Sequence, residues 1–233
     1  MTKSPLLPIF LIVLVDILGL TIILPLLPFY AEKLGASPLI IGFLVATYAI
    51  CQLIAGPPLG KLSDRVGRRP VLLVSQAGTL MGFLILGVAQ ALWMVFLSRV
   101  IDGLTAGNLS LAQAYISDVT EPEDRAKSFG VIGIAFGIGF LIGPALSGFL
   151  SQFGYHYPVY AAACLSATSI LATYFLLPSS PPVPESRKGT TDGPAPPAGS
   201  RLGLLDWGTY ARFFRQPRLG ELLLQFSIFA FSI

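Results

Sequence analysis

Six apolar stretches follow one another along this chain, at about residues 6–30, 39–60, 70–90, 92–115, 129–150 and 157–177. Each is long enough to cross a bilayer as a helix, which takes about 20 residues. Short polar loops separate them, so the chain must pass back and forth through lipid. Backbone polar groups in lipid are satisfied only inside helices or a closed barrel, and runs this long predict helices. The expected fold is an all-α, polytopic membrane protein. Only 12% of the 233 residues are charged, about half the share of a soluble domain. That excludes a soluble enzyme, a disordered tail and a collagen-like chain. A further apolar stretch from Leu219 to Ile233 reads as the start of a seventh helix. As a helix it would rise about 22 Å, short of the roughly 30 Å hydrocarbon core.

Lysines and arginines set the orientation. Lys3, the loop cations Lys61, Arg65, Arg68 and Arg69, then Arg125 and Lys127, and finally Arg187, Lys188, Arg201, Arg212, Arg215 and Arg218 all fall on one side. Lys33 falls on the other, and Arg99 lies inside a run. Cytoplasmic loops carry the excess of cations, so the N-terminus and the segment after residue 177 are expected in the cytoplasm. The first run is too long for the 7–15-residue core of a signal peptide and reads as a retained helix. Three parts are expected: a six-helix bundle over 1–177, a linker over 178–217, and the beginning of a seventh span over 218–233. Residues 178–200 are rich in Pro, Gly and Ser, as flexible linkers are. Residues 201–217 mix Leu, Trp, Tyr and Phe with Arg, which suits either a short interfacial helix or more linker.

Chemistry for an enzyme is missing. Cys51 and Cys164 sit inside apolar runs, where a thiol is usually an inert small hydrophobe. The single histidine, His156, falls in a short loop and reads as a solvated imidazole. No metal site, cofactor or nucleic-acid partner is expected, and no Ser/His/Asp set or nucleotide loop is present.

The richest local signal is the loop from Gly60 to Pro70, GKLSDRVGRRP. Gly60 and Gly67 permit a tight turn and close helix approach. Pro70 suits a first helical turn. Asp64 stands four residues before Arg68, at pairing distance if the stretch is helical. A loop that merely holds positive charge inside needs only Lys61, Arg65, Arg68 and Arg69. The glycines, Asp64 and Pro70 go further. A second pattern is an internal repeat. LIAGPPLG, from Leu53 to Gly60, returns as LIGPALSG, from Leu141 to Gly148, three helices later and so in inverted topology.

At these residues the chain resembles the major facilitator superfamily, whose loop signature reads G-x-L-x-D-R-x-G-R-R. Arg99 and Gly103 are similar to its R-x-x-x-G element in the fourth helix. Gly130, Gly139, Gly143, Pro144 and Gly148 resemble the fifth-helix element of drug:proton antiporters, with Ser147 replacing one glycine of its closing pair. Asp16 to Gly19, with Leu24-Pro25, resembles the antiporters' first-helix signature. Asp118 and Thr120 match a cytoplasmic pair of the tetracycline-efflux type. Where those carriers have an acidic residue in the third helix, this chain has Gly82. Inverted three-helix repeats are a known construction in such transporters. The resemblance therefore implies the N-terminal six-helix half of the fold, with a second six-helix half as the missing partner. It also implies a latch of Asp64, Arg68 and Asp118 that closes the cytoplasmic side, and a role for the glycine element in controlling proton leak.

Three charges lie within the runs. At 1.5 Å per residue, Asp16 lies roughly 12–15 Å from the cytoplasmic side, Arg99 about 10 Å and Asp102 about 15 Å from the outer side. Each costs ~2.5–3.5 kcal/mol at such depth on the insertion scale, so such residues face a cavity or a partner. Arg99 and Asp102, three residues apart, can neutralise each other. Asp16 has no sequence-local partner. It is the first candidate for taking up and releasing a proton, with Arg99 and Asp102 as modulators, unless it pairs with Arg99 across the bundle. Gln52, Asn108 and Gln113 can bind a polar group of a substrate or bond neighbouring helices. By resemblance, Gln52 stands at a substrate-pocket position.

These readings converge on a secondary transporter in the cell's inner membrane, exporting small amphipathic, tetracycline-like drugs in exchange for protons by alternating access. The rivals are a symporter or importer of the same superfamily and a non-transporting six-helix protein.

Overall fold

The computed structural model describes residues 6–177 as helices in the order α1 (Leu6–Lys33), α2 (Pro38–Val66), α3 (Arg68–Gly87), α4 (Leu92–Thr105), α5 (Asn108–Val119), α6 (Arg125–Ser151) and α7 (His156–Leu176), with a short 3-10 turn at Pro122–Asp124. No strand occurs among the described residues. The expected linker over 178–217, whether or not it holds an interfacial helix, and the expected start of a seventh span over 218–233 lie outside them. Five helices (α1, α2, α3, α6 and α7) are each long and apolar enough to cross a membrane. The remaining expected span, 92–115, is divided between α4 and α5.

The second span does not stop at residue 60. α2 starts after Ser37, whose hydroxyl accepts a hydrogen bond from the Ile40 N–H, with Pro38 in its first turn. Side-chain acceptance of that kind satisfies one orphan donor of a helix start. α2 then continues through the basic loop to Val66 and ends at Gly67, whose φ of 105° is one that L residues rarely adopt. α3 begins on the next residue. His156 also departs from expectation: it opens α7 instead of standing in a loop. Its Nδ1 donates to the Gly87 carbonyl at 2.9 Å, and its ring meets Tyr30 edge-on.

α1 packs chiefly on α6 and α7, α3 on α4 and α7, and α2 on α4. Apolar burial is split into two bodies. One joins Ile22–Ala31 of α1 to Phe83, Leu86, Val95, Val159 and Ala162. The other joins Ile9–Ile17 to Leu72, Leu111, Tyr115, Ile116 and Leu177. Between them, in sequence, fall the buried polar residues Ser75 and Gln76 of α3, Ser98, Arg99 and Asp102 of α4, and Ser166, Ser169 and Thr173 of α7. A polar layer thus lies sandwiched between two greasy ones; on α1 it includes Thr21, and Asp16 joins it through the side chains of Gln76 and Ser169.

Candidate functional site

One cavity of about 590 Å³ opens on this layer. Its wall includes Asp16 from α1, Tyr48 and Gln52 from α2, Thr79 and Phe83 from α3, Asp102 from α4, Asn108 and Gln113 from α5, and Phe136 from α6. Two of the three intramembrane charges and all three amides singled out from the sequence therefore meet around one space. Most of the rest of the wall is apolar, as ligand pockets generally are.

Arg99 pairs with Asp102 at 3.3 Å, both side chains about 95% buried. The alternative, a pair between Arg99 and Asp16 across the bundle, is not among the described ion pairs. Asp16 is held instead by the side chains of Gln76 and Ser169, and it feels the charge of Asp102 electrostatically. Asp102 takes a further hydrogen bond from Thr79. Gln76, Ser169, Thr79 and Tyr48 were not singled out from the sequence.

Close helix approach builds the site. A Cβ at Gly103 of α4 would lie 2.8 Å from the Tyr48 carbonyl oxygen and 2.7 Å from Cys51 Cβ. Only glycine lets α2 come this near to Asp102. At Gly82 an added Cβ would meet Asp102 Cβ at 2.9 Å and the Ser98 carbonyl at 3.1 Å. Position 82 has no room for a side chain as packed, and the carboxylate nearest to it, that of Asp102, comes from α4.

The break between α4 and α5 also faces the cavity, through Ala106, Asn108 and Ser110. Irregular backbone at membrane depth persists only where other groups satisfy it. Ser75 of α3 does so: its hydroxyl donates to the Thr105 carbonyl and accepts from the Gly107 N–H at 2.9 Å. The side-chain oxygen Oδ1 of Asn108, just past the break, is buried with no hydrogen-bond partner among the described residues. A ligand donor entering the cavity would satisfy it.

The five residues of the fifth-span element divide. At Gly143 a Cβ would collide with Thr21, and at Gly139 with Ile17. Thr21 Oγ1 donates to the Gly139 carbonyl at 3.0 Å, so α6 rides against α1 one turn beyond Asp16. Gly130 and Gly148 have open space around them. Pro144 and Gly148 line a small cleft with Pro25 and Tyr155.

At the end of the bundle where α2 meets α3, Arg68 joins two helices. It pairs with Asp64 at 2.7 Å and with Asp118 of α5 at 2.9 Å, and donates to Ser63 Oγ. α2 ends at Val66 and Arg68 opens α3, so the Asp64–Arg68 pair bridges the turn at Gly67 instead of lying on one helix. Arg69 donates to the Tyr174 carbonyl of α7 and lies over that ring. Arg65 is exposed, and a Cβ added at Gly60 would enter open space.

The sequence matches the family model of the Major Facilitator Superfamily over residues 9–233. It is 40% identical to the class B tetracycline resistance protein of Escherichia coli over 167 residues, 70% of this chain and 42% of that protein. It is 31% identical to multidrug resistance protein 2 of Bacillus subtilis over 169 residues, 72% of this chain and 42% of that one. Among solved structures, the human organic anion transporter MFSD10 (TETRAN) superposes with a TM-score of 0.69 at 27% identity, over 77% of this chain and 50% of that one. The peptide transporter POT in complex with sulfate shares the fold, with a TM-score of 0.69 at 17% identity over 80% of this chain and 42% of that one. The chain spans about half the length of these relatives, or less.

Proposed function

Because the chain belongs to the major facilitator superfamily, we propose that it forms the six-helix N-terminal part of a drug:proton antiporter, one that exports small amphipathic, tetracycline-like compounds by alternating access. The observation that carries this reading is the meeting of Asp16, Asp102, Gln52, Asn108 and Gln113 around one mostly apolar cavity. The similarity to tetracycline and multidrug resistance proteins supports it.

In this mechanism the amides and Tyr48 orient the polar groups of the drug, and Asn108 Oδ1, without a partner among the described residues, accepts one of its donors. Phe83 and Phe136 cover its apolar body. Asp16 takes up and releases the coupled proton. Arg99 and Asp102 modulate it through the charge that Asp102 places on the same space. The Gly139 and Gly143 seam lets α6 slide on α1 beside Asp16, and Pro144 allows α6 to bend. Arg68, Asp64 and Asp118 form a latch on the cytoplasmic side, broken and remade as the protein alternates. The same orientation puts the N-terminus in the cytoplasm, with the protein in the inner membrane. The exposed apolar faces of α2 and α6, including Leu53 and Leu141 of the internal repeat, would meet a second six-helix half in the whole transporter.

The test is tolerance to a chemically varied drug panel in cells that express the complete reading frame. Raised tolerance to cationic or zwitterionic amphiphiles is expected. Unchanged tolerance across the panel would remove the substrate class.

A further inference from the structure

We infer that Gln76 and Ser169 are positioning residues for Asp16, and that the Gln76 amide carries the protonation state of that carboxyl into the contact between α3 and α7. This rests on the proposal that Asp16 holds the coupled proton.

Asp16 is reached from two sides. One side faces the cavity. The other meets Gln76 from α3 and Ser169 from α7, both fully buried. Gln76 Nε2 donates to Ser169 Oγ at 2.7 Å. The Ser169 hydroxyl thereby keeps its own proton free to donate to the carboxylate. α7 takes a second hold on the same residue of α3, through a bond from Ser166 Oγ to the Gln76 backbone carbonyl. Three helices therefore meet at one amide.

The amide is the right group for a partner that changes its own character. An ionised carboxylate only accepts hydrogen bonds, whereas a protonated one must also donate. Gln76 offers both kinds of atom. Its Nε2 is used as described, but its Oε1 is buried with no hydrogen-bond partner among the described residues. Buried acceptors normally find a donor. A proton on Asp16 supplies one: the new O–H bonds to Gln76 Oε1, and the amide turns to receive it. Turning moves Nε2, and with it the bond that joins α3 to Ser169 of α7. A leucine at position 76 could serve neither state, and an ionised glutamate, which only accepts, could not bond the ionised carboxylate.

Few other charges bear on the site. Asp102 of α4 acts on Asp16 electrostatically, and Arg99 is ion-paired with Asp102. Tyr48 of α2 faces the same cavity. α5 contributes the neutral amides Asn108 and Gln113. The chain has no charged residue between Lys127 and His156 on α6, and none after His156 on α7.

The experiment is infrared difference spectroscopy of the full chain in lipid during a pH step, with Asp16→Asn as the reference. A carboxylic C=O band absent from Asp16→Asn identifies the proton on Asp16. In Gln76→Leu that band should move to higher wavenumber, because the acid loses its hydrogen-bond partner. Ser169→Ala, which removes a single oxygen and tests the same network should Gln76→Leu fail to fold, should move it in the same direction. Ser169→Thr should restore it. A band at the wild-type position in the variants that fold overturns the relay while leaving the role of Asp16 intact. A band that survives Asp16→Asn overturns that role, and the relay with it.

Discussion

Arg68 and Arg99 each meet an aspartate three or four residues away, yet they stand in different solvents. Arg68, itself 12% exposed, pairs with carboxylates that are 39% and 29% exposed, at the loop end of the bundle. Arg99 and Asp102 are 4% and 5% exposed, in the polar layer. Exposed ion pairs contribute about 0–1 kcal/mol. A buried pair gains little over an apolar one, but removing one partner costs about 3–5 kcal/mol, because a bare charge stays behind. The same pair of residue types is therefore a contact that can open and close at the loop end. In the interior it is an obligatory unit.

The sharpest way to break that contrast is Asp102→Ala, which strands the Arg99 guanidinium. A loss of about 3–5 kcal/mol is expected, read as a fall in the unfolding midpoint in detergent. The double variant Arg99→Met with Asp102→Leu should recover most of it. If the double variant is as damaged as the single one, the pair is not a unit.

Gly82→Ala comes next. The new methyl has to share space with Asp102 and the Ser98 carbonyl, an overpacking that costs about 1–3 kcal/mol. Gly60→Ala, beside the exposed pair, enters open space. There the better helix propensity of alanine, up to about 1 kcal/mol, leaves stability equal or raised. Equal losses at both positions would mean that the two regions are packed alike.

Smallest is Asp64→Asn. Arg68 retains Asp118, so the change in stability should stay within about 1 kcal/mol. Salt sharpens this further. Raising ionic strength from about 0.1 to about 1 M shortens the screening length from about 10 to about 3 Å. The difference between wild type and Asp64→Asn should shrink as salt rises, and that between wild type and Asp102→Ala should not. A salt-insensitive Asp64 effect would place that carboxylate in a drier setting.

Much of this contrast was legible in the sequence. Charges in apolar runs stand out, so Asp16, Arg99 and Asp102 could be found, and the three-residue spacing anticipated one pair. The Asp64–Arg68 pair forms too, but across the Gly67 turn between α2 and α3 and not within one continuous helix. Neutral polar residues were harder to see. Gln76 and Ser169 cost too little in an apolar run to attract notice, although Ser166, Ser169 and Thr173 recur at helical spacing on one face. The break between α4 and α5 was missed because Ala106 and Gly107 do not interrupt the hydropathy. The Gly107-Asn108 step was its one local sign, and the Ser75 bonds that make the break tolerable come from another helix. Gly139 and Gly143 could not be told apart from Gly130 and Gly148 without the partner helix. Their difference depends on Ile17 and Thr21.

The central claim is that Asp16, in the cavity, couples transport to protons. The direct measurement is pH-gradient-driven drug accumulation in everted vesicles that carry the protein, wild type against Asp16→Asn. Asn at this position should abolish gradient-driven accumulation while drug binding and drug–drug exchange persist. Undiminished gradient-driven accumulation would contradict it.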